Sequence, residues 1–197
     1  PYANTAATPL PAPGSGARYG GMADGASRMA AYAELGIEKQ LVLPQFTGWW
    51  SYGIEPELGH GIAHSLNVSM LRFAQEHPGA VLPVALVALQ DVPSAIAEAV
   101  WAHANGFKAV VLDYVMPVAE NNLGSPTATH RELWPFFAKC EELDLPIYFH
   151  AVQHGHRLVN LRNFQMDGLD IFVPSEAQMN LVALITTGLL DRYPGLK

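Results

Sequence analysis

Three of the eight histidines in the chain lie within one short segment. In "LPIYFHAVQHGHR", residues 145–157, His150 ends an apolar run, and His154 and His156 follow it. Imidazole is both a common metal ligand and a proton carrier near neutral pH. Alternation along a strand sends Tyr148 and His150 to the same face, and a strand end fixes an imidazole better than a loop does. His150 is therefore a candidate metal ligand, and the alternative is a core histidine hydrogen-bonded to a neighbour.

Other residues near strand ends also have two interpretations each. His154 and His156 would contact a substrate or carry its proton, or they would form an exposed polar loop. Trp49 and Trp50 would line a pocket, or they would pack a long loop. Asp113 ends the strand-like "VVLDYV", where it would orient a ligand or substrate, or make a cap or loop hydrogen bond.

Two further groups are assigned structural roles. His60 and His64 in "HGIAH" have the i, i+4 spacing of a metal-binding pair, but the segment lacks the glutamate of an HExxH motif. We predict that they belong to a solvated helix start. Cys140, inside a predicted helix with apolar neighbours, is expected to be inert.

The composition restricts the class of protein. The chain has 197 residues, 50% of them hydrophobic and 15% charged, which is typical of one globular domain or a large part of one. A formal charge of −7 without a basic cluster argues against nucleic acid and acidic membrane surfaces as partners. One cysteine excludes an internal disulfide, and we find neither a signal peptide nor a long apolar run. We predict a soluble, cytoplasmic protein.

Helices and strands alternate along most of the chain. Residues 1–21 are rich in Pro, Gly, Ala and Ser and are predicted to be a loop or arm, whereas residues 22–197 form the domain. We predict helices in "GASRMAAYAELGI", "GIAHSLNVSMLRFAQEHP", "DVPSAIAEAVWAHANGF", the second part of "SPTATHRELWPFFAKCEELDL", and "SEAQMNLVALITTGLLDRYPG". The strands are predicted to end at Gln45, Gln90, Val115 and His150.

This alternation is typical of a parallel sheet covered by helices. A doubly wound sheet would carry a Gly-rich nucleotide-binding turn, and the sequence has neither GxGxxG nor GxxxxGK[ST]. A (β/α)8 TIM barrel needs only polar residues at the carboxyl ends of its strands, which are present here. A complete barrel takes about 250 residues, so four strands predict the central part of a barrel.

Several motifs in order carry a resemblance to a known family. They are "ASRMAAYAELGIEKQLVLPQ", the Asn67-containing helix ending in "EHPGAVLPVALVALQDVPSAIAEAV", "NGFKAVVLDY", "LWPFFAKCEELDLPIYFHA" and "TTGLLDRYPGLK". Over residues 22–197 the chain resembles amidohydrolase-related proteins of the amidohydrolase 2 type, similar to aminocarboxymuconate-semialdehyde decarboxylase. The resemblance implies a metal-dependent barrel whose members are mostly decarboxylases of unsaturated or aromatic carboxylic acids, with some hydrolases among them.

The resemblance also implies roles for residues. His150 matches the metal-binding histidine at the end of the fifth barrel strand, with Zn²⁺ as the expected ion and Mn²⁺ as the alternative. Asn67, His77 and Asp91 match positions that we interpret as structural. The family's first-strand His-x-His pair has no counterpart here, and its later histidine and aspartate would fall beyond Lys197. Because a catalytic zinc site has about three protein ligands, the chain would bind metal as part of a longer polypeptide, or be a degenerate relative without metal.

The implied chemistry divides into two reactions. A bound cation would stabilise negative charge while a proton is delivered to the substrate carbon and carbon dioxide leaves, or it would generate a hydroxide that attacks a carbonyl. The sequence assigns no catalytic residue. The expected substrate is a small carboxylate bound by the metal and by Arg157 or Arg162, and the resemblance suggests a homodimer or larger homo-oligomer. A non-catalytic barrel fragment or binding protein is the alternative.

Overall fold

The computed structural model describes residues 25–44, 55–113, 130–150, 177–178 and 180–197. The elements of the sheet and its helices are, in chain order, α1 (Gly25–Glu34), β1 (Gln40–Val42), α2 (Pro56–Glu76), β2 (Val81–Leu86), α3 (Val92–Ala104), β3 (Ala109–Asp113), a 3-10 turn (Arg131–Leu133), α4 (Trp134–Glu142) and β4 (Ile147–His150). Residues 180–186 are also helical, and a short helix follows at Leu189–Arg192. Among the described helices, none combines the length and apolarity needed to cross a membrane.

The four strands form one parallel sheet whose spatial order is their order in the chain. Gln40 of β1 pairs with Val81, Val84 of β2 pairs with Ala109, and Val110 of β3 pairs with Ile147. A doubly wound sheet reverses its strand order at a switch point, and the described strands show no reversal. The fold is therefore α/β, with half of a (β/α) barrel, as the sequence predicts.

Prolines in the first turn open three of the helices. Pro56, Pro93 and Pro135 lie at the first or second position of α2, α3 and α4, where no intrahelical partner for the missing N–H is needed. Pro135 therefore does not interrupt α4. The predicted start of α2 at Gly61 is wrong, because the helix begins at Pro56 and so includes Glu57 and His60.

Alternate residues of β2 and β3 pack into two separate clusters. Ala85, Val87, Val110 and Leu112 join α3 and α4 in the main core, whereas Val84, Leu86, Ala109 and Val111 form a smaller cluster with Ala63 of α2. The two faces of the sheet are thus distinct, and the face opposite α3 and α4 is the inner face of the barrel.

Helix α2 approaches the sheet through small side chains. Its fully buried residues are Gly59, Ala63 and Asn67, spaced four apart. The larger apolar side chains of Ile62, Leu66, Met70 and Phe73 lie along a neighbouring stripe and are only half-buried. The buried face of α2 is therefore offset by about one residue from these side chains, because small residues allow the closest approach of the helix backbone to a strand.

Glycines in the left-handed region end two helical segments. Gly36, two residues after the end of α1, has φ +73°. The long C-terminal helix predicted as one element is interrupted at residues 187–188, where Gly188 has φ +79°. Its predicted start at Ser175 and Glu176 lies outside the described residues.

Candidate functional site

His150 is the last residue of β4 and pairs in register with Asp113, the last residue of β3. Ile147 and Phe149 pack against the main core on the side of α3 and α4. Tyr148 and His150 therefore face the inner side of the barrel, as the alternation predicts. His150 is half-buried at this position.

The carboxyl ends of the strands bring few candidate ligands together among the described residues. Within the described ranges, no three His, Cys, Asp or Glu side chains are placed to hold a metal ion. The described residues alone therefore do not form a complete metal site. His150 is the candidate metal ligand among them.

Most of the predicted substrate-binding residues cannot be placed. Asp113 is located by its backbone register only. The others, which are Trp49, Trp50, His154, His156, Arg157 and Arg162, lie outside the described residues. Their proposed roles stay predictions.

A buried carboxylate links α2 to α3 close to the carboxyl end of β2. Glu98 of α3 is 2% exposed. Its Oε1 accepts a hydrogen bond from Asn67 Nδ2 at 2.7 Å, and its Oε2 lies 2.9 Å from His64 Nδ1. His60 Nε2 is 3.9 Å from the same Oε2. His60 and His64 lie near the start of α2 with side chains 32% and 42% exposed, in line with the predicted solvated helix start, but both rings also lie beside this carboxylate.

Asn67 connects the buried carboxylate to the backbone of β2. Its Nδ2 donates to the Leu86 carbonyl, and its Oδ1 accepts from the Leu86 N–H, each at 2.8 Å. The β1–β2 register ends at Val42 and Pro83, so the Asn67 amide serves the Leu86 peptide groups where β1 offers no partner. The structural interpretation of Asn67 agrees with these contacts.

The sequence contained a signal for the Glu98 network. Ala95, Glu98, Ala99 and Ala102 are spaced i, i+3, i+4 and i+7, and all four are buried. A carboxylate on the apolar face of a helix requires hydrogen-bonding partners. This spacing would have indicated a buried network around Glu98.

Asp91 and Cys140 have structural surroundings, as predicted. Asp91 caps α3 by accepting a hydrogen bond from the Ser94 N–H at 2.9 Å. Hydrogen bonds from the Ser94 side chain and backbone hold the pKa of Asp91 below its ordinary value, and the nearby His60 acts in the same direction. Cys140 is fully buried in the main core, and burial raises the pKa of its thiol to about 12.

Solved structures of several decarboxylases have a similar fold. The 2,6-dihydroxybenzoate decarboxylase from Rhizobium matches with a TM-score of 0.73 and 20% identity, over 87% of this chain and 53% of that one. A dihydroxybenzoic acid decarboxylase from Polaromonas, solved with manganese and 2-nitroresorcinol, matches with a TM-score of 0.70 and 19% identity, over 87% and 52%.

A third similar structure is the 5-carboxyvanillate decarboxylase from Novosphingobium aromaticivorans, complexed with manganese and 4-hydroxy-3-methoxy-5-nitrobenzoic acid. Its TM-score is 0.75 at 22% identity, over 87% of this chain and 47% of that one. At these identities the similarity shows the fold. The chain spans about half the length of these structures.

Sequence comparison gives the family directly. No curated protein matches the chain. The sequence model of the amidohydrolase family, however, matches residues 16–197, which is nearly the whole chain. The chain belongs to the amidohydrolase family.

Proposed function

We propose that the protein is a metal-dependent decarboxylase of an aromatic or unsaturated carboxylic acid, and that His150 is one of its metal ligands. The observation that carries the proposal is the position of His150, at the end of β4 and on the inner face of an amidohydrolase barrel. The similar decarboxylases act on dihydroxybenzoates and 5-carboxyvanillate, and two of them were solved with manganese. These names favour decarboxylation over hydrolysis and make Mn²⁺ a candidate beside Zn²⁺.

The role of His150 follows from its place in the sheet. A neutral imidazole at a strand end presents a ring nitrogen in a nearly fixed direction, which lowers the entropy lost on coordination. The other ligands of the metal ion would be residues outside the described ranges or outside this sequence. When bound, a divalent ion would supply positive charge to the substrate oxygens.

The other parts of the proposed site come from the sequence. We propose that Arg157 or Arg162 binds the substrate carboxylate, and that Trp49 and Trp50 line the pocket. Arg157→Met and Arg162→Met would each be made, and substrate binding should weaken in at least one of the two variants. We further propose that the protein is cytoplasmic. We also propose that it acts as a homodimer or larger assembly, and analytical ultracentrifugation would measure this oligomeric state.

Metal analysis of the purified protein tests the ligand assignment. We expect about one divalent ion per chain, in line with a mononuclear site, and loss of that ion in His150→Ala. His103→Ala is the matched control, because His103 lies on the exposed side of α3. Wild-type protein without metal, or a His150→Ala variant that retains it, would contradict the assignment.

The reaction is tested separately by carbon dioxide release. We expect Mn²⁺-dependent decarboxylation of at least one hydroxylated benzoate, such as 2,6-dihydroxybenzoate, and no activity in His150→Ala. Metal-bound protein that hydrolyses an ester or amide but releases no carbon dioxide would favour the hydrolase alternative.

A further inference from the structure

We draw no further inference here: the strongest candidate, the exposed apolar surface of Leu181, Val182 and Ile185 on the helix of residues 180–186, carries no proposal because nothing in the described part of the structure shows what covers it.

Discussion

The buried thiol of Cys140 gives a pH-dependent prediction. Its pKa is raised to about 12 in the folded protein, whereas an unfolded thiol titrates at about 8.5. Above about pH 8.5 the unfolded state binds fewer protons than the folded state, so the free energy of unfolding should fall, by about 1.4 kcal/mol per pH unit.

Urea unfolding from pH 7 to pH 10 measures this slope. Cys140→Ala should lack the thiol contribution, so the difference in stability between wild type and variant should shrink as the pH rises. Lysine and tyrosine titrations are common to both proteins and cancel in the comparison. A difference that stays constant over this range would show that Cys140 does not titrate as its burial requires.

His150 was placed correctly from local sequence patterns. Strand alternation and the apolar run before His150 were enough to predict its place at the end of β4 and its face of the sheet. The Glu98 network was not foreseen, because His64, Asn67 and Glu98 meet only when α2 and α3 pack side by side. Local periodicity predicts direction within an element, and contacts between elements require the fold.

At the level of elements, Asn67 joins α2 to the end of β2. Replacement of Asn67 with Leu removes two hydrogen bonds to Leu86 and one to Glu98, and it leaves these buried groups short of partners. We expect a loss of about 3 kcal/mol in the free energy of unfolding. Chemical denaturation measures the loss.

The control for Asn67 lies on the same helix. Ser69 is exposed, and its hydroxyl donates to the Ser65 carbonyl within α2, so Ser69→Ala should change stability little. Comparable losses in the two variants would indicate that the contact between α2 and β2 adds nothing beyond helix propensity.

The order of elements was predictable, and several of their boundaries were not. Strand β2 was expected to reach Gln90 but ends at Leu86. Val87, Ala88 and Leu89 keep the strand alternation beyond that end, and the Val87 N–H still donates to the Val111 carbonyl at 3.3 Å. The break near Gly188 was also missed. A glycine inside an apolar helical pattern does not reveal from the sequence whether it adopts a positive φ.

At the scale of the whole molecule, one core connects distant parts of the chain. Residues of β2, α3, β3 and α4 share the main cluster with Leu189, which is 0% exposed. Barrel architecture followed from the alternation and the family resemblance, but the sequence did not show that the C-terminal segment completes this core. That contact depends on how the last helices fold back over α4.

Two adjacent leucines test the contribution of the C-terminal segment. Leu189→Ala should lower the free energy of unfolding by about 2–4 kcal/mol, because it leaves a cavity in the main core. Leu190 is 42% exposed in the same short helix, so Leu190→Ala should cost much less. Thermal unfolding followed by circular dichroism and by tryptophan fluorescence should give one transition, and similar losses in the two variants would contradict the prediction.

The order of the strands has a consequence for how the protein forms during synthesis. Each of β2, β3 and β4 pairs with the described strand that precedes it in the chain, so a crossover closes as soon as its second strand leaves the ribosome. Assembly then advances vectorially, and β2, β3 and β4 each find a partner already in place. A translational pause after β3 has emerged from the ribosome and before β4 has emerged would leave an intermediate with its β3 edge awaiting β4.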